Sequence, residues 1–134
     1  MRKGMFFGAV VICLTIILAA GCGGSGGDEE PAGSVQAGEK LFKQATIGNQ
    51  AGCGTCHSLE AGVILVGPSL ADIGSQADKR VSGLSAQEYL RQSILDPNAY
   101  TSDGFAANVM PMVWSDELTE GQVDDLIAFL MTLK

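Results

Sequence analysis

The sequence predicts an all-α domain, and three observations carry that prediction. Three segments place apolar residues at helical spacing behind a recognisable N-terminal cap, and the stretches between them are glycine-rich loop. The only short run of strand-like composition, Val63-Ile64-Leu65-Val66, has no convincing partner strand, so it is expected to line a buried group instead. Three modest helices make a poor core for about a hundred residues. Loops longer than about a dozen residues normally need a reason of their own, and a large apolar group enclosed by them would supply one.

The 134 residues leave room for one domain behind a targeting segment. Arg2 and Lys3 form a positive start, an apolar stretch runs from Met5 to Ala20, and the segment closes on Leu18-Ala19-Ala20-Gly21-Cys22. That ending resembles the lipobox of bacterial lipoproteins, with residues 1–21 as the signal peptide and Cys22 as the lipidated residue. The usual leucine three positions before the cysteine is Ala19 here, with Leu18 one step further out. An uncleaved signal anchor and a freely released protein are the alternatives, and the apolar run is near the lower length limit for a spanning helix. The lipoprotein and the anchor both leave the domain tethered to the bacterial cytoplasmic membrane on its extracytoplasmic side, periplasmic or outer. Residues 22–34 read as a tether, flexible in the glycine and serine half and extended by self-repulsion around Asp28-Glu29-Glu30. Such a tether raises the local concentration of the domain near membrane partners, although it could equally be a plain spacer.

The whole chain carries a formal charge of −7, and without Arg2 and Lys3 six basic residues face fifteen acidic ones, giving −9. That balance disfavours nucleic acid. It suggests a partner with a basic docking face, or else serves solubility alone.

The domain, residues 35–134, opens with a helix that Ser34 can cap and that runs to about Gln44, with Ala37, Leu41 and Phe42 as its apolar stripe. Ser85-Ala86-Gln87-Glu88 is a capping box opening a second helix, in which Leu90 and Ile94 share a face and which stops at Asp96-Pro97. Thr119-Glu120-Gly121-Gln122 opens the last helix, with Leu118 and Val123 placed as a hydrophobic staple. Val123, Leu126, Ile127 and Leu130 then recur on one face, with Phe129 alongside.

The chemistry lies in Cys53-Gly54-Thr55-Cys56-His57. A Cys-x-x-Cys-His run is the attachment signature of c-type haem: two thiols one short turn apart can add to the two vinyl groups, and the adjacent imidazole becomes an axial iron ligand. Cys13 would leave with the signal and Cys22 would carry lipid, so Cys53 and Cys56 are the thiols left to the domain. A redox disulfide between them would call for a strand–helix–strand setting that does not precede the motif, and a zinc site would need carboxylates to complete it.

With these residues in place, the chain resembles the class I cytochromes c over essentially all of residues 35–134. Gly38 and Phe42 in the first helix and Leu126 and Phe129 in the last match that family's pattern where the terminal helices cross, a glycine allowing close approach. The resemblance implies three main helices and long loops wrapped around one covalent haem c with its iron. Gly67-Pro68 matches the family's Gly-Pro, implying that the Pro68 carbonyl accepts from Nδ1 of His57 and turns Nε2 to the iron. Thr46-Ile47-Gly48-Asn49-Gln50 lengthens the interval before the motif relative to mitochondrial-type members, leaving the local loop open.

Met110, Met112 and Met131 are the methionines beyond the signal segment. Met131 reads as helix packing. Small bacterial members of the family carry a Met-Pro pair shortly before the Leu-Thr or Leu-Ser that opens the last helix, and Met110-Pro111 with Leu118-Thr119 fits, making Met110 the preferred sixth ligand. Met112 and an open sixth position are the alternatives. Tyr100, Phe105 and Trp114 are candidates to pack on the haem or bond a propionate, or are ordinary core aromatics.

The resemblance implies an electron carrier rather than an enzyme, moving single electrons from a membrane donor such as a quinol-oxidising complex to a terminal oxidase or other acceptor. Ile94 to Pro111 also resembles c-domains attached to respiratory complexes, which points to a complex's subunit as well as a free shuttle. Two further readings are a small haem peroxidase or gas-binding sensor with an open position, and a subunit whose haem mainly stabilises the fold. The first would need a polar distal residue, and the chain's one histidine is already committed to the proximal side.

Overall fold

The computed structural model describes residues 32–134. The expected signal peptide, Cys22 and most of the expected tether lie outside the described residues. From the domain's start the order is α1 (Val35–Phe42), a hairpin of β1 (Thr46–Ile47) and β2 (Gln50–Ala51), then α2 (Cys53–Cys56) and α3 (Ile73–Gln76). A 3-10 turn (Ala77–Lys79), α4 (Ala86–Leu95), α5 (Trp114–Glu117) and α6 (Glu120–Met131) follow. The fold is all-α as expected, with the hairpin its only sheet among the described residues.

Local chemistry sets where each long helix begins. Ser34 Oγ accepts from Ala37 N–H at 3.3 Å. The Ser85–Glu88 and Thr119–Gln122 capping boxes are both closed, so side chains satisfy backbone N–H groups that the helices leave without partners. The first helix stops at Phe42, two residues short of the expected Gln44, because Gln44 N–H turns back to the Leu41 carbonyl at 3.1 Å instead of extending the ladder.

The core sits where α1 and α4 close on α6. Val123 and Leu126 are 1% and 2% exposed, and each such apolar side chain taken from water stabilises the fold by about 1.5–3 kcal/mol. Gly38 is what brings α1 so close: a Cβ there would collide with the Asp125 carbonyl and come 2.9 Å from Phe129 Cβ. The Phe42 and Phe129 rings fill the crossing at 5.5 Å and 54°. Asp125 Oδ1 accepts from Ser34 N–H at 2.6 Å, and Arg91 on α4 reaches both Glu120, at 2.7 Å, and Asp124 on α6.

The inserted residues make the antiparallel pair Thr46↔Ala51 and Ile47↔Gln50, turning at Gly48 with φ of 55°. Ile47, 5% exposed, pins the insert to the core. The Val63-Ile64-Leu65-Val66 run departs from expectation. Its ends are drawn together by Gly67 N–H to Cys56 O and Leu70 N–H to Ser58 O, both 2.9 Å, and the run bulges outward. Ile64 is 66% exposed, and only Val66 reaches the wall of the cavity described below.

Candidate haem site

A single helical turn, α2, carries both thiols. Cys53 and Cys56 are three residues apart, so they lie on one side of the turn, and both are free and line one cavity. Burial pushes the Cys53 thiol up, a backbone hydrogen bond opposing it and the neighbouring Cys56 sulfur adding a smaller push in the same direction. The helix ends at His57, whose backbone turns extended (φ −118°, ψ 124°) while its N–H still bonds the Cys53 carbonyl at 2.9 Å.

The imidazole is fixed from the other side of the loop. Pro68 O lies 2.9 Å from His57 Nδ1, and since a carbonyl can only accept, Nδ1 carries the proton and Nε2 keeps a free lone pair. Burial lowers the basicity of His57, the Pro68 bond acting in the opposite direction, and the neutral imidazole that burial favours is the form a metal needs. Gly67 packs against the ring: a Cβ at that position would stand 2.5 Å from Cε1 and 2.9 Å from Nδ1. Both halves of Gly67-Pro68 therefore act on the same ring, one by leaving room and one by accepting a hydrogen bond from Nδ1–H.

The cavity, about 270 Å³, is walled mainly by apolar atoms and shares part of its wall with a smaller one of about 90 Å³. Cys53, His57 and Met110 border both. Met110 is half-buried and packs on the core, whereas Met112 is 48% exposed and its sulfur accepts from Asn98 Nδ2 at 3.2 Å. Met131 packs on the core from α6 and borders neither cavity. Among the described residues no group of three His, Cys, Asp or Glu stands together to hold a metal ion.

Tyr100, Phe105 and Trp114 all line the larger cavity. Sequence reasoning missed two neighbours of theirs on α4, Tyr89 and Ser93, which occupy the face beside Leu90 and Ile94 and border both cavities. Their four-residue spacing was the available signal. Ser93 Oγ and Trp114 Nε1 are buried without hydrogen-bond partners. Such orphans are costly inside a protein, and a group entering this cavity has to answer them. A flat apolar macrocycle bearing vinyl groups for the thiols and carboxylates for the hydroxyl and indole N–H fits that donor set.

No curated protein matches the chain. The family model described as cytochrome c matches residues 35–134, the same span that the helices, the loops and the cavity occupy. Domains of this family are typically extracytoplasmic. Among the described residues no helix is long and apolar enough to cross a membrane. The matched span holds the paired thiols and the oriented imidazole within an all-α fold, and the chain belongs to the cytochrome c family, whose members bind haem c covalently and transfer electrons.

Proposed function

We propose that this protein is a membrane-tethered monohaem cytochrome c that relays single electrons from a membrane donor, such as a quinol-oxidising complex, to a terminal oxidase or another redox acceptor. Cys53 and Cys56 hold the haem through thioethers, His57 ligates the iron through Nε2, the Pro68 carbonyl orients that imidazole, and Met110 supplies the sixth ligand. The observation that carries this reading is the convergence of Cys53, His57 and Met110 on the shared walls of two neighbouring apolar cavities while Met112 faces solvent.

When bound, the haem supplies one-electron exchange between ferric and ferrous iron. The chain's own residues set the terms of that exchange. A thioether ligand favours the ferrous state relative to a second imidazole, and the apolar walls disfavour the additional charge of the ferric state, so the potential is moderately positive. Ser93 Oγ and Trp114 Nε1, buried without protein partners, would donate to the carboxylates of the bound group.

Residues 1–21 serve as the signal, Cys22 carries lipid, and the acidic tether through residue 34 lets the domain move between donor and acceptor outside the cytoplasm. Reduced-minus-oxidised spectra of membrane and soluble fractions, joined to co-purification, test this arrangement. The haem signal is expected in the membrane fraction together with a redox complex, and Cys22→Ala is expected to shift it to the soluble fraction. A signal that stays with the membrane after Cys22→Ala contradicts the lipid anchor.

A further inference from the structure

Met110 and Met112 lie two residues apart on one loop, and something must decide which thioether faces the cavity. Pro111 stiffens the step between them but does not choose a side. The choice is made one turn of loop away. Asn108 has φ of 63°, and it is the one non-glycine residue with positive φ among the described residues. Asn98 holds it there. Asn98 Oδ1 accepts from Asn108 N–H at 2.8 Å, which fixes the orientation of the Asn98 amide and leaves its Nδ2 to donate. Nδ2 donates to Asn108 Oδ1 at 2.9 Å and to Met112 Sδ at 3.2 Å. Asn98 itself follows Pro97 just beyond α4, so the clamp is fastened to a rigid element.

We propose that Asn98 is a positioning residue that selects the iron ligand. It closes the loop at Asn108, so that the chain emerges with Met110 against the cavity, and it occupies the Met112 sulfur on the outer side so that this thioether does not compete. The inference rests on Met110 being the ligand, and its test separates the two ideas.

The test uses the holoprotein with covalent haem confirmed for every variant. In wild-type ferrous protein, proton NMR is expected to give one methionine methyl signal shifted by the porphyrin ring current, and Met110→Ala should abolish both that signal and the sulfur-to-iron charge-transfer band of the ferric form. If the band survives Met110→Ala, the ligand reading fails irrespective of Asn98. Asn98→Ala is expected to give two shifted methyl signals and a ferric form that binds added imidazole about tenfold more tightly, a loss of about 1.4 kcal/mol of selection. Adding Met112→Leu to Asn98→Ala should restore the single signal, which a merely structural role for Asn98 would not do. Asn98→Asp keeps the acceptor for Asn108 N–H and removes the donor to Asn108 Oδ1 and Met112 Sδ, so it too should show the second signal even if Asn98→Ala fails to mature. One unchanged methyl signal in Asn98→Asp overturns the proposal.

Discussion

At Gly67 the absence of a side chain has a direct chemical consequence. The imidazole of His57 occupies the space a Cβ would need, and the next residue's carbonyl accepts a hydrogen bond from its Nδ1–H. Gly67→Ala therefore forces either the ring or the loop to move, and guanidinium denaturation of the holoprotein should report a loss of about 1–3 kcal/mol, typical of overpacking. A second single-residue effect lies in the first turn of α4. Glu88 accepts from the Ser85 N–H and hydroxyl, both at 2.7 Å, and these bonds hold its carboxyl below the ordinary value of 4.5. A carboxyl whose folded value is depressed stabilises the fold fully above its unfolded value and loses that contribution as pH falls through the folded value. Stability measured in urea should thus decline below about pH 4.5, and Glu88→Gln, which keeps the capping geometry, should flatten that part of the decline. An unchanged slope in Glu88→Gln would remove Glu88 from the account of acid sensitivity.

At the scale of elements, α1 and α6, which cross, each carry a glycine, and the two have opposite tolerances. Gly38 faces the Asp125 carbonyl and Phe129, while Gly121, in the first turn of α6, has nothing within 4 Å of a would-be Cβ. Gly38→Ala should cost about 1–3 kcal/mol by separating the helices. Gly121→Ala should be neutral or stabilise by up to about 1 kcal/mol through helix propensity, and equal effects at the two sites, measured by thermal unfolding, would contradict the packing described. The crossing was legible beforehand because Gly38, Phe42, Leu126 and Phe129 match the family's pattern at that place, and the three caps announce themselves by residue type. The Asn98–Asn108 clamp was not legible. It joins residues ten apart through a loop that has no periodicity, and nothing in either asparagine distinguishes it from a solvated turn residue. The exposure of Ile64 and Leu65 was misread for a related reason: composition reports that a run is apolar, whereas the two hydrogen bonds that fold its ends together decide which way it bulges.

For the molecule as a whole, the core is divided between protein and cofactor. α1, α4 and α6 bury one another, but Tyr89, Ser93, Met110 and Trp114 also border the cavity, and two of their polar atoms have no protein partner. A Cys53→Ala, Cys56→Ala double variant, which removes both attachment points, should keep helical circular dichroism yet melt at a clearly lower temperature and with a broader transition than the holoprotein. Identical melting would mean that the loops hold without the haem. The most direct measurement of the central claim is a potentiometric titration of the visible spectrum of the purified holoprotein, followed by exposure of the ferrous form to carbon monoxide. One reversible one-electron transition at moderately positive potential, a ferric sulfur-to-iron band, and a ferrous form slow to bind carbon monoxide at neutral pH are the result predicted for an electron carrier with His57 and Met110 on the iron. Rapid carbon monoxide binding with no sulfur-to-iron band would contradict it and identify an open coordination position.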